Sequence, residues 1–151
     1  MIYKEVQQDL FTVPSDYALA HCISSDFALG AGIAKEFDRR YGMRSRLLLE
    51  YAEEYMSIPF LPRCLTVTSC GITVFNLTTK LLYWHKPTIA TLTAALVCMR
   101  HSAHIRNITK IAMPRIGCGL DRLEWEQVSR IIQRVFDNTD VEILVCYQKR
   151  S

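Results

Sequence analysis

Two glycines two residues apart, Gly117 and Gly119, lie between a short apolar run at 111–113 and an amphipathic pattern that begins near Arg122. No other stretch constrains the fold as tightly, because it demands a strand, a tight turn and a helix in that order. Such a turn leaves backbone N–H groups bare beside a helix N-terminus. The amides and the helix dipole together favour an anion, and a phosphate or pyrophosphate suits them. The full segment reads Pro114-Arg115-Ile116-Gly117-Cys118-Gly119-Leu120-Asp121. Turns of this kind also exist only to turn the chain, so the segment gains meaning from what accompanies it.

Hydrophobic periodicity supplies the rest of the frame. Strands are expected at 2–6, 17–23, 64–68, 72–77, 110–113 and 142–146, with the turn at Cys70-Gly71 joining two of them in a hairpin. Helices are expected at 33–41 (ended by Gly42), at 44–55, from Pro87 to about Ser102, and at 122–136. Strands that alternate with helices, plus one hairpin, imply an α/β fold: a mixed sheet flanked by helices in three layers. In open sheets of this kind ligands bind beyond the carboxyl ends of the strands, where the glycine turn lies.

The chain has 151 residues, enough for one domain spanning 1–151, and a chain of this length buries roughly 68–70% of its unfolded surface. Half its residues are hydrophobic and 22% are charged, which argues for a folded globule. The net charge of +3 permits an anionic ligand or loose contact with nucleic acid without demanding either. Six cysteines follow no CxxC spacing or regular framework, and Met1-Ile2-Tyr3-Lys4-Glu5 lacks the apolar core of a signal peptide. Reduced thiols in an intracellular setting, nucleus or cytoplasm, are therefore expected. No apolar run approaches the roughly 18–20 residues that span a bilayer, so no membrane partner is expected. His101 and His104, near Cys98, have metal-like spacing, but nothing completes a site, so no metal is assigned.

Two further segments accompany the glycine turn. Ala20-His21-Cys22-Ile23-Ser24 is followed by Gly30-Ala31-Gly32-Ile33-Ala34, and Trp84-His85-Lys86-Pro87-Thr88 precedes the third helix. Together with the glycine turn they resemble the macrodomain family, within it the branch of terminal ADP-ribose protein glycohydrolases, and the resemblance runs from Asp9 to about Val145. It implies the three-layer α/β/α macrodomain fold and a site for ADP-ribose.

Residue by residue, the resemblance implies that the Asp9 carboxylate and the Leu10 N–H read the adenine edge. Gln8 stands where the family usually has glycine. It implies that Ser24, Gly30, Ala31, Gly32, Ile33 and Ala34 hold the diphosphate and distal ribose from one side. Pro114, Ile116, Gly117, Cys118, Gly119 and Leu120 would wrap the diphosphate from the other. Asp121 heads a capping-box pattern, Asp121-Arg122-Leu123-Glu124, and would be worth about 1 kcal/mol as a cap alone; the resemblance makes it catalytic. Lys86 is implied to attack the distal C1″, expel the carboxylate of an acidic side chain and form a lysyl adduct that Asp121 helps resolve. Tyr83 and Trp84 replace smaller residues beside it. The family's adenine-stacking aromatic falls at Cys146, with Tyr147 one residue on. The expected function is an ADP-ribosyl hydrolase acting on glutamate and aspartate side chains, and on O-acyl-ADP-ribose, as a monomer without cofactor. Two alternatives stand beside it: a non-catalytic ADP-ribose-binding module, which needs no Lys86–Asp121 pair, and a hydrolase of ADP-ribosylated nucleic acid.

Overall fold

The computed structural model describes residues 1–119 and 121–149. Its strands are β1 (Ile2–Gln7), β2 (Ala18–Ser24), β3 (Arg63–Ser69), β4 (Ile72–Lys80), β5 (Lys110–Met113) and β6 (Glu142–Tyr147). They form one sheet in the order β1-β6-β5-β2-β4-β3, parallel throughout except for the β3–β4 hairpin. Cys70 and Gly71, with φ of 53° and 76°, make the left-handed turn that a two-residue hairpin requires. β2 reads as continuous apolar and small residues because it lies between two parallel neighbours with both faces covered.

The helices are α1 (Gly32–Tyr41), α2 (Met43–Glu50), α3 (Ile89–Ile105) and α4 (Trp125–Val135). One face of the sheet, with Phe75, Leu77, Ile143 and Val145, packs against Leu92, Leu96 and Met99 of α3 and Val128 and Ile132 of α4. The other, with Leu19, Leu65, Val74 and Leu144, packs against Phe37 of α1 and Met43 and Leu47 of α2. This is the expected three-layer α/β/α arrangement.

Three helix boundaries differ from the periodic reading. α2 stops at Glu50, short of residue 55, because Tyr51 turns out of the helix and donates its hydroxyl to the Thr66 carbonyl at 2.7 Å. α3 begins after Thr88, whose side chain and that of Thr91 form a reciprocal capping box. α4 begins at Trp125 rather than 122. Arg122 has a φ of 62°, and the Leu123 N–H is spent on the Gly117 carbonyl at 2.7 Å. Asp121 therefore does not cap this helix, which starts after Glu124.

His21 lies fully buried between the sheet and α1. Its Nε2 pairs with Asn76 Oδ1 at 2.6 Å, and its ring stacks on Phe37 at 3.8 Å. Asn76 in turn donates to the Leu65 carbonyl at 3.0 Å, tying β2, β4 and β3 together. Burial lowers the His21 pKa to about 4. The unfolded chain, with an ordinary histidine, binds the extra proton first as pH falls. Stability is therefore full above about pH 6.5 and lost on the way down toward pH 4, by on the order of 2–3 kcal/mol from this group. Urea unfolding between pH 7 and 4.5 should show this loss, and His21→Gln should flatten it; equal pH slopes in both proteins would refute the assignment.

Candidate active site

The carboxyl ends of β2, β4 and β5 surround a cavity of about 610 Å³. Its walls are the loop after β2, the loop after β4 and the glycine turn after β5, so each wall is a strand-end loop.

The loop after β2 is held by Asp26. Its Oδ1 accepts from Ser24 Oγ at 2.5 Å and from the Ala28 N–H at 3.2 Å, and its Oδ2 accepts from the Tyr83 N–H at 2.9 Å. The Ser25 and Asp26 N–H groups donate to the carbonyls of Lys80 and Leu81. Two of the cavity's walls are thereby stapled together. Ser24, Gly30, Ala31, Gly32, Ile33 and Ala34 all line it. α1 starts here behind Ala31 with no side-chain cap, which leaves its first amides available to an anion. Gly32 has a φ of 58°, a conformation that glycine adopts without strain.

On the opposite wall, Pro114, Ile116, Gly117 and Gly119 line the cavity. Gly117 has a φ of 75°, and a β-carbon there would meet Leu123 Cδ1 at 3.0 Å. A β-carbon on Gly119 would meet nothing within 4 Å, so that glycine keeps the turn open rather than closely packed. Cys118 is not on the cavity wall. Its thiol donates to the Ile116 carbonyl at 3.3 Å and packs toward the α4 layer, and burial pushes its pKa up to about 11. Cys22 does line the cavity, but burial, reinforced by the Asp121 carboxylate, raises its thiol pKa far above neutral, so it is not a ready nucleophile. Leu120 lies outside the described residues.

At one end of the cavity Lys80 Nζ meets Asp121 Oδ1 at 2.6 Å, with the two side chains only 13% and 15% exposed. The pairing expected between Lys86 and Asp121 thus falls on Lys80. Lys86 lines the same cavity from the following loop, where it is exposed. A β-bulge aims Lys80: Ile23 pairs with Thr78 and Ser24 with Lys80, so Thr79 is the extra residue. One added residue reverses which way the chain beyond it faces.

Known proteins share this sequence and fold. Human ADP-ribose glycohydrolase OARD1 is 41% identical over 140 residues, covering 93% of this chain and 88% of that protein. The macrodomain of Mycobacterium tuberculosis DarG superposes with a TM-score of 0.85 at 22% identity, covering 99% of both chains. Thermosipho africanus DarTG in complex with ADP-ribose superposes with a TM-score of 0.81 at 17% identity, covering 99% of this chain and 43% of that one. No protein-family model matches the chain. The chain belongs to the macrodomain family, in the ADP-ribose glycohydrolase branch.

Within this macrodomain the expected adenine residues lie outside the cavity wall. Asp9 Oδ1 accepts from the Phe11 N–H at 2.9 Å and caps a short 3-10 turn, Leu10–Thr12, in which Leu10 is buried. Cys146 points into the same layer as Leu10, and burial together with the Asp9 carboxylate pushes its thiol up to about 11. Tyr147 faces the other layer. Its ring lies 4.3 Å from the guanidinium of Arg115, which also approaches Trp125 at 5.8 Å and Glu5 at 3.6 Å. Tyr147 is thus engaged by Arg115 rather than facing Asp9.

Lys80, Asp26 and Arg115 were not singled out from sequence. For Lys80 the available signal was its place at the carboxyl end of a strand. Among the described residues no group of three His, Cys, Asp or Glu side chains is placed to hold a metal, and no helix is long and apolar enough to cross a membrane.

The two glycines of the turn should behave differently. Gly117→Ala, strained at positive φ and crowded by Leu123, should lose about 1–2 kcal/mol of unfolding free energy. Gly119→Val should melt within a few degrees of wild type. Equal destabilisation of the two, measured by thermal unfolding, would contradict the turn geometry.

Proposed function

We propose that this hydrolase binds ADP-ribose in the 610 Å³ cavity and releases it from the carboxylates of acidic side chains, with Lys80 as nucleophile and Asp121 as its proton partner. The observation that carries this reading is the 2.6 Å Lys80–Asp121 contact inside a cavity bounded by two glycine-bearing loops. The volume suits a nucleotide-sized ligand. The α1 N-terminus and the open turn at Gly119 face it from opposite sides, which supports a diphosphate between them. Asp9, Leu10 and Cys146 share one layer, which supports the adenine lying beyond the cavity on that side.

The chemistry follows from the pair. As the ester-bearing C1″ approaches, Asp121 takes a proton from Lys80, and the free amine attacks C1″. The C1″–O bond breaks and its electron pair leaves on the acceptor carboxylate. Asp121 passes its first proton to solvent, takes the remaining excess proton from the adduct nitrogen and gives it to the ring oxygen. The sugar ring opens to an imine, water adds to C1″, and the C1″–N bond breaks to return Lys80 and release ADP-ribose. The ester of O-acyl-ADP-ribose presents a related C–O bond to the same pair. Ser24 donates its proton to Asp26, so its lone pairs are left to accept from a ribose hydroxyl. The enzyme acts as a monomer in this reading. Six free cysteines support a reducing, intracellular setting in nucleus or cytoplasm.

Calorimetry should give an ADP-ribose Kd in the micromolar range or tighter, about −8 kcal/mol at 1 μM. Gly119→Val should weaken it strongly by filling the open side of the turn. Absence of ADP-ribose binding by the wild type would refute the site.

The assignment of the nucleophile is tested on glutamate-ADP-ribosylated substrate. Lys80→Ala should abolish release of ADP-ribose while retaining affinity, the signature of a reacting group rather than a binding one. Lys86→Ala should retain turnover. The reverse pattern would return the nucleophile to Lys86, and loss of affinity without loss of kcat in Lys80→Ala would make Lys80 a binding residue. Binding by the wild type without any turnover would favour an ADP-ribose reader.

A further inference from the structure

Two loops next to the cavity carry large apolar side chains that stay exposed. Tyr83 forms part of the wall and is 65% exposed; Trp84, next along, is 64% exposed. The loop between α2 and β3 adds Tyr55, Met56, Leu61 and Ile58, the last 79% exposed. Singly exposed apolar residues are ordinary, but a group of them beside a ligand cavity marks a contact surface.

Both loops are pinned to the same short segment. Asp26 holds the Tyr83 N–H, the Ser25 carbonyl accepts the Met56 N–H at 3.0 Å, Ser25 Oγ donates to the Glu54 carbonyl at 3.1 Å, and Phe27 lies 5.7 Å from Tyr55. The two loops that carry these six exposed apolar side chains are therefore both fixed to Ser25, Asp26 and Phe27, and this apolar shelf adjoins the cavity wall at Tyr83.

We infer that this shelf receives the acceptor: a polypeptide whose residues flanking the ADP-ribosylated carboxylate are apolar. The inference rests on the proposed placement of C1″ at Lys80 and Asp121. Whatever is joined to C1″ leaves the cavity at that end, past Tyr83. The chemistry of the shelf selects the class of acceptor. The stretch 51–62 carries Glu53 and Glu54 and no lysine or arginine, and the neighbouring cations Lys80 and Lys86 line the cavity. A nucleic-acid strand needs cations along its path for its phosphates, which this loop does not provide. Aliphatic, methionine and aromatic groups side by side suit apolar side chains of a peptide.

The test compares three ADP-ribosylated substrates: a peptide modified on a glutamate flanked by leucine and phenylalanine, the same peptide with serine and glycine flanks, and a single-stranded oligonucleotide. Each is assayed with wild type and with the double variant Trp84→Ser, Ile58→Ser, at two highly exposed positions off the cavity wall. Wild type should prefer the apolar-flanked peptide about tenfold in kcat/KM, through KM, equivalent to about 1.4 kcal/mol. The variant should lose that preference and match wild type on the polar-flanked peptide. Equal wild-type rates on both peptides, or a preference that survives the double substitution, would overturn the inference. So would a loss confined to the oligonucleotide, which would make the shelf a base-stacking surface. Failure of wild type on all three substrates would remove the enzymatic reading and the shelf with it, whereas equal hydrolysis of all three removes the shelf alone.

Discussion

The site depends on how β2 runs against β4. The two strands pair in parallel from Leu19 to Ile23, and then Thr79 bulges so that Ser24 comes opposite Lys80. A parallel pair brings both carboxyl ends to one edge, which is where helix N-termini and glycine turns can also face a ligand. The bulge decides which way the last side chain of β4 faces, and here Lys80 meets Asp121 instead of continuing the strand's alternation. Asp26 then ties the loops beyond both strands together, so Ser24 and the Tyr83 wall of the cavity are held by one local network.

An ammonium and a carboxylate that are mostly shielded from water do not guarantee stability, because desolvation offsets much of their attraction. Lys80 and Asp121 retain some solvent contact and a short path for a proton. The pair lines the cavity and is not the main brace of the fold. The brace is elsewhere, in the two apolar layers and the buried His21–Asn76 contact. The thiols of Cys22 and Cys118, near the site, have raised pKa values, which keeps both protonated and unreactive at neutral pH.

Much of the fold was legible because period-two and period-3.6 patterns are strong in this chain. The glycine turns were legible because few other residues take the backbone of Gly32 or Gly117. Lys80 was not, because Thr78 and Thr79 end the apolar alternation of β4 at Leu77 and hide three further strand residues. That left Lys86, beside a helix-opening Pro-Thr, as the conspicuous lysine. The start of α4 departs from the sequence pattern for a related reason: Asp121 has the local pattern of a cap, and a contact 41 residues away claims its carboxylate. The face of Tyr147 could not be read from sequence either, since a single residue of register in β6 sets it and Arg115 supplies the partner.

The central claim is that Lys80 forms a covalent bond to C1″ which Asp121 helps to break. It is tested most directly by trapping that bond: Asp121→Ala is incubated with glutamate-ADP-ribosylated substrate, and the modified residue is mapped by peptide mass spectrometry. The account predicts ADP-ribose mass on Lys80 that persists in Asp121→Ala and disappears in Lys80→Ala, Asp121→Ala. An adduct mapped to Lys86, or rapid turnover in Asp121→Ala with no adduct on any lysine, would contradict it.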